Sequence, residues 1–103
     1  MYYIKLAQCG VTYMDKIVRS ATAGTLESSD VFVSLEPSDA GLDIEIESVV
    51  LKQFGDEIRR AVEETLSDLQ VDCAKVSVVD RGALDCVIRA RVETAVLRGK
   101  GEA

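Results

Sequence analysis

Histidine is absent from all 103 residues, and that gap alone removes several chemistries. A Ser–His–Asp triad cannot be assembled, and a zinc site would need scattered cysteines plus a carboxylate. Cys9, Cys73 and Cys86 are odd in number and widely spaced, with no CxxC pair. No disulfide framework is therefore expected, and reduced thiols in an intracellular, cytoplasmic protein are the default. No run approaches the roughly 20 apolar residues of a membrane helix. Met1 to Lys16 lacks the charged start and unbroken apolar core of a signal peptide. No glycine-rich phosphate loop is present, because Gly99-Lys100-Gly101 has no strand before it and no helix after it. Basic residues are the minority: Lys+Arg total 12 against 18 for Asp+Glu, a net charge of -6. That balance argues against nucleic acid as a partner and suits docking onto basic protein surfaces.

What is present reads as one globular domain. Hydrophobic residues make up 48% and charged residues 29%, ordinary for a single packed core. Residues 1–16 read as an N-terminal extension with room to be flexible, in which Met14 is a candidate natural start. Residues 17–98 form the domain, and 99–103 read as a disordered tail.

Val31, Val33 and Leu35 alternate with Phe32, Ser34 and Glu36, the pattern of a half-buried strand. Leu42, Ile44 and Ile46 alternate with Asp43, Glu45 and Glu47 in the same way. Pro37 to Gly41 is a turn by composition, so the two runs predict a β-hairpin. Apolar residues then recur every three or four positions from Val50 to Leu69, predicting a helix over 49–69 with Ser48 as N-cap. Lys75 to Val79 is a third strand. Asp80 is expected to cap a second helix carrying Leu84, Val87, Ile88, Val92, Ala95 and Val96, with Gly99 at its end. The order β-β-α-β-α predicts an α+β domain: a small, mostly antiparallel sheet with two helices packed on one face. The first strand is expected between the other two.

Few constellations could carry chemistry. Asp43, Glu45 and Glu47 share a strand face, better read as a solvated edge than as a metal or acid–base site. Ser28 or Ser29 with Lys5 or Lys16 as base has no supporting motif. Arg81, Arg89, Arg91 and Arg98 gather near the second helix, as a solvated face or as a patch for an anionic group. Cys86 reads as a small semi-buried residue. The chain thus lacks the parts for catalysis of its own. Ser28 and Ser29 sit in a polar turn ahead of the first strand, where hydroxyls beside a carboxylate are usually caps.

Three stretches together carry a resemblance. Ala23-Gly24-Thr25-Leu26-Glu27-Ser28-Ser29-Asp30-Val31, Lys52-Gln53-Phe54-Gly55-Asp56 with Ile58-Arg59, and Asp80 to Arg91 resemble the blocks of the citrate lyase acyl carrier proteins, the gamma subunits. The likeness spans about Ile17 to Arg98; residues 1–13 extend beyond it. It implies a non-catalytic carrier whose Ser28, the first of the serine pair, is the attachment point. The group so attached would be 2'-(5''-phosphoribosyl)-3'-dephospho-coenzyme A, joined through a phosphodiester by a prosthetic-group transferase from its triphosphoribosyl precursor. It further implies that an alpha subunit exchanges acetyl for citryl on the arm. A beta subunit then cleaves citryl thioester, so that citrate yields acetate and oxaloacetate in bacterial citrate fermentation. The acyl carrier subunit of malonate decarboxylase, with a Gly-Ser-Gly-Asp-like site, is the nearest alternative, and Glu27-Ser28-Ser29-Asp30 favours citrate lyase. A cofactor-free interaction module, with Ser28 as a mere cap, is the alternative from another class.

Overall fold

The computed structural model of the chain describes residues 2–5, 17–38 and 41–101, with backbone alone at 2–5, 51 and 52. Five strands and two helices follow one another: β1 (Tyr2–Lys5), β2 (Ala21–Gly24), β3 (Val31–Pro37), β4 (Leu42–Ser48), α1 (Leu51–Asp68), β5 (Ala74–Asp80) and α2 (Asp85–Lys100). The α+β class, the mostly antiparallel sheet and the two packed helices agree with the sequence reading. One strand is added to it, at 2–5, and the irregular stretch 17–25, open on sequence to a short strand or an extended arm, forms a strand at 21–24.

The strand order is β1-β4-β5-β3-β2, and it corrects the hairpin. β3 and β4 are not neighbours: β5 lies between them, antiparallel to β3 (Val33 opposite Val78) and parallel to β4 (Ile46 opposite Val78). The third sequence-predicted strand is therefore the middle one of the three, not the first. The physical reason lies in the connection. α1 joins β4 to β5, and a strand–helix–strand crossover sets its two strands parallel and side by side. β5 therefore takes the place beside β4 that a hairpin would give β3. Pro37 and Leu42 both pair with Ala74, one from each side, so the ends of the expected turn stand two strand spacings apart, about 10 Å. Asp39 and Ala40 between them lie outside the described residues.

Inward residues alternate as expected on β3 (Val31, Val33, Leu35) and β4 (Leu42, Ile44, Ile46), all buried. They meet Ile58, Ala61, Val62 and Leu66 of α1 and Ile88, Val92, Ala95 and Val96 of α2. Each large aliphatic chain withdrawn from water contributes roughly 1.5–3 kcal/mol before the entropy of ordering is set against it. Gly99 lies inside α2 rather than ending it. A Cβ there would stand 2.7 Å from Leu35 Cδ1, so glycine lets the last turn settle on β3. Gly101, at φ 86, ends the helix instead.

The predicted caps also shift. Leu84 and Val50 hold the N-cap positions, neither with a side-chain bond. Ser48 lies two residues short of that place; its hydroxyl oxygen accepts the Val50 amide at 3.0 Å. Cys73 is disulfide-bonded, so the three cysteines are not all reduced thiols as expected; spacing along the chain says nothing about proximity in space. Cys86 is free, and exposed rather than semi-buried. Among the described residues, no helix is long and apolar enough to cross a membrane.

Candidate functional site

β2 must reverse into β3 within residues 25–30, and Gly24 makes the reversal possible. Its φ is 91, and a Cβ there would lie 1.8 Å from the Val31 carbonyl oxygen. Thr25 then begins a short loop in which the Asp30 amide donates to the Glu27 carbonyl at 3.2 Å. Ser28 and Ser29 are the second and third residues of that four-residue turn. Ser29 has φ 63, whereas Ser28 is not among the positive-φ residues. This is the type II pattern, whose third position favours glycine. A serine there costs about 1 kcal/mol, and such strain persists only where the surroundings over-determine it.

The surroundings do so from two directions. Backbone bonds tie the turn to the end of β5: the Ser29 amide donates to the Arg81 carbonyl at 2.9 Å, and the Arg81 amide to the Asp30 carbonyl at 2.9 Å. Side chains tie it to α2. Asp30 Oδ1 accepts the Val31 amide at 2.7 Å and Arg91 Nε at 3.1 Å. Asp30 Oδ2 accepts the Thr25 hydroxyl at 2.7 Å and Arg91 Nη2 at 3.0 Å. The Asp30 side chain is only 16% exposed. The Thr25 hydroxyl, the Val31 amide and then Arg91 hold its carboxyl below the ordinary value, at about 2, against the opposing effect of burial. Thr25 Oγ1 also accepts the Glu27 amide at 3.2 Å. The Ser28 hydroxyl takes part in none of these bonds, and Ser28 is exposed.

Beside this turn lies a second polar knot. Asp80, paired in register with Val31, is 1% exposed. It does not cap α2 as expected; it holds the loop before the helix. Its Oδ2 accepts the Ser48 hydroxyl at 2.7 Å and the Gly82 amide at 3.1 Å, and its Oδ1 accepts the Ala83 amide at 2.9 Å. The β4–α1 and β5–α2 junctions are thereby fastened together. Next to it Val50, Phe54, Ile58, Leu84 and Ile88 line an apolar groove of about 320 Å³. Leu26, Val49, Phe54 and Leu84 are large apolar residues left exposed, all at the sheet end that carries Ser28. Sequence reading put Phe54 and Leu84 in buried stripes, because periodicity does not reveal that a helix start overhangs the sheet.

The four arginines do not form one patch for an anionic group. Arg91 is engaged by Asp30, and Arg89 bridges Asp85 at 2.6 Å and Glu64 at 2.7 Å, which raises its pKa. Arg98 donates to the Thr22 carbonyl at 2.8 Å, on the edge strand β2 level with the middle of β3. Arg81 is exposed beside the serine turn. Asp43, Glu45 and Glu47 stay along one strand, and no cluster that could hold a metal occurs among the described residues. Lys5 and Lys16, weighed as bases for Ser28 or Ser29, fall where side chains are not described.

Comparison with known proteins now adds a family. The model of the malonate decarboxylase delta subunit family matches residues 18–99. A citrate lyase acyl carrier protein of Enterobacter sp. (strain 638) is 58% identical over 87 residues, 84% of this chain and 90% of that one. One from Streptococcus mutans serotype c is 54% identical over 83 residues, covering 80% and 81% respectively. A crystal structure of a Pseudomonas malonate decarboxylase hetero-tetramer in complex with malonate contains a chain of the same fold. Its TM-score is 0.72, at 21% identity, covering 94% of this chain and 93% of that chain.

Proposed function

The chain belongs to the citrate lyase acyl carrier family, and from that premise we propose that Ser28 is its prosthetic-group attachment point. It is a carrier subunit, not a catalytic one. The observation that carries the proposal is an exposed hydroxyl, free of the turn's own bonds, on a backbone held from two sides. Attachment would join the Ser28 oxygen to the α-phosphorus of a triphosphoribosyl dephospho-coenzyme A. The hydroxyl proton and pyrophosphate leave, and a phosphodiester remains. Such a group supplies a terminal thiol that carries acyl groups as thioesters.

The residues present suit that attachment. Short side chains at Thr25 and Ser29 leave room around the hydroxyl for a transferring enzyme. Arg81 brings a cation to the end where a phosphodiester charge would sit. A covalent arm turns encounters between separate active sites into intramolecular ones at raised effective concentration. The chain itself then needs only to present the anchor and dock. The partners on this reading are the alpha and beta subunits of citrate lyase and the transferase that loads the arm. The acyl groups are acetyl and citryl, and the setting is the cytoplasm.

The test is intact-protein mass spectrometry after loading by the transferase. The wild type gains the mass of the arm, and peptide mapping places it on Ser28. Ser28→Ala keeps its circular dichroism and gains nothing. An adduct on Ser28→Ala, or one mapped to Ser29, refutes the assignment. Absence of any adduct on the wild type would favour a cofactor-free interaction module. The malonate decarboxylase carrier is a second reading, favoured by the matched family model and the shared fold. Identities of 54–58% to citrate lyase carriers weigh against it, and loading followed by assay with each set of partner subunits separates the two.

A further inference from the structure

We propose that Arg91 is a positioning residue for the modification of Ser28, acting through its two-pronged hold on Asp30. The proposal rests on the reading of Ser28 as the attachment point. The hydrogen bonds of Arg91 go to Asp30 and to neither serine, yet three observations converge on it. First, the turn that carries Ser28 has a strained third residue, Ser29 at φ 63, and strain of this kind needs external support. Second, Asp30 closes that turn through its amide, so whatever fixes Asp30 fixes the turn. Third, both Arg91 donors meet both Asp30 oxygens, at 3.1 and 3.0 Å, in the planar fork that fixes direction as well as distance.

The other partners of Asp30 cannot substitute for Arg91. Thr25 and Val31 lie within five residues of Asp30, so they shape the loop without anchoring it to the domain. Arg81 ties the backbone only to the end of β5. Arg91, rooted in α2 at 61 residues' separation, ties the loop to a helix packed on the sheet. With the loop tied at both β5 and α2, the direction of the Ser28 hydroxyl is set before any enzyme arrives. Loss of that preorganisation slows a reaction even when every reacting group remains, because a misplacement of about 1 Å can cost up to a hundredfold. A lysine at 91 would keep the charge and lose the fork.

The measurement is the rate at which the purified apo chain is loaded by the prosthetic-group transferase and its triphosphoribosyl dephospho-coenzyme A, read by intact mass. It is paired with hydrogen exchange at the Ser29 and Asp30 amides of the chain alone. Arg91→Ala is expected to load roughly ten- to a hundredfold more slowly, with unchanged circular dichroism and faster exchange at those amides. Arg91→Lys should fall between it and the wild type. Asp30→Asn, which retains a side-chain acceptor, is the second variant and should slow loading in the same sense. Adding Ser29→Gly to Arg91→Ala should recover part of the rate, since glycine adopts the turn without support. Wild-type loading by both Arg91→Ala and Asp30→Asn overturns the proposal. So does a slow Arg91→Ala that Ser29→Gly does not improve, which would mark Arg91 as a docking contact. Loading of Ser28→Ala would defeat the attachment reading, and with it the role in modification, while the exchange difference at Ser29 and Asp30 would still report whether Arg91 holds the turn.

Discussion

Two aspartates stand at the same end of adjacent strands and do different work. Asp80 is 1% exposed and takes its partners from Ser48, Gly82 and Ala83. No cation is among them, and what they fasten is two helix junctions. Asp30 sits one strand away with its side chain 16% exposed, and its partners include an arginine from a distant helix. What it fastens is a strained turn bearing an exposed serine. Burial with neutral donors secures the frame, and on the proposed reading the more exposed ion pair aims a serine that must remain reachable. The second kind of knot adds little to stability, since screened ion pairs are generally worth under about 1 kcal/mol.

The contrast has measurable consequences. The largest is expected for Asp80→Ala, which strands the Ser48 hydroxyl and two amides. Unpaired buried donors cost about 1–3 kcal/mol each, so a loss of roughly 3–4 kcal/mol in urea unfolding is expected. A loss below about 1 kcal/mol would erase the distinction between the two aspartates. Next come two glycines of nearly equal φ, Gly24 at 91 beside Asp30's turn and Gly82 at 90 beside Asp80. A Cβ on Gly24 meets the Val31 carbonyl at 1.8 Å, whereas one on Gly82 meets nothing within 4 Å. Gly82→Ala should therefore cost only the backbone strain, about 1 kcal/mol. Gly24→Ala should cost at least about 2 kcal/mol because the backbone must also move. Equal melting shifts for the pair would show that the β2–β3 reversal yields freely. The smallest effect is the titration of Asp30. Its folded-state pKa lies below the ordinary 3.8, at about 2. The turn's share of stability is thus complete above the ordinary value and fades as pH falls from about 3.8 towards 2. Carboxyl chemical shifts should give a midpoint near 2 for Asp30, moving upward in Arg91→Ala. A midpoint near 3.8 in the wild type would mean the clamp is open in solution.

The elements themselves were legible. Alternation over Val31–Glu36 and Leu42–Glu47, and three-to-four spacing in both helices, report which face each segment buries. Those signals belong to single segments, so they were silent on which strands touch. A short connection with Pro37 and Gly41 suggested a hairpin, whereas the α1 crossover sets β5 beside β4 and so between the two strands. The serine turn was legible as a turn; that it bears the attachment point is what the resemblance implies and what we propose. The turn's support was not legible, because Asp30 and Arg91 lie 61 residues apart and no local pattern links them. Asp80 was misread for a related reason: an aspartate before a helix looks like a cap, and its partner Ser48 is 32 residues away.

The place of β5 between β3 and β4 also bears on the order of events during synthesis. β3 and β4 leave the ribosome with the gap between them unfilled, and β5 follows only after the whole of α1. The serine turn has to wait longer still, since Arg81 and Arg91 are made more than fifty residues after Ser28. A nascent or truncated chain can contain Ser28 and yet lack every long-range bond that shapes its turn. The turn in its finished form is therefore a mark of a completed domain.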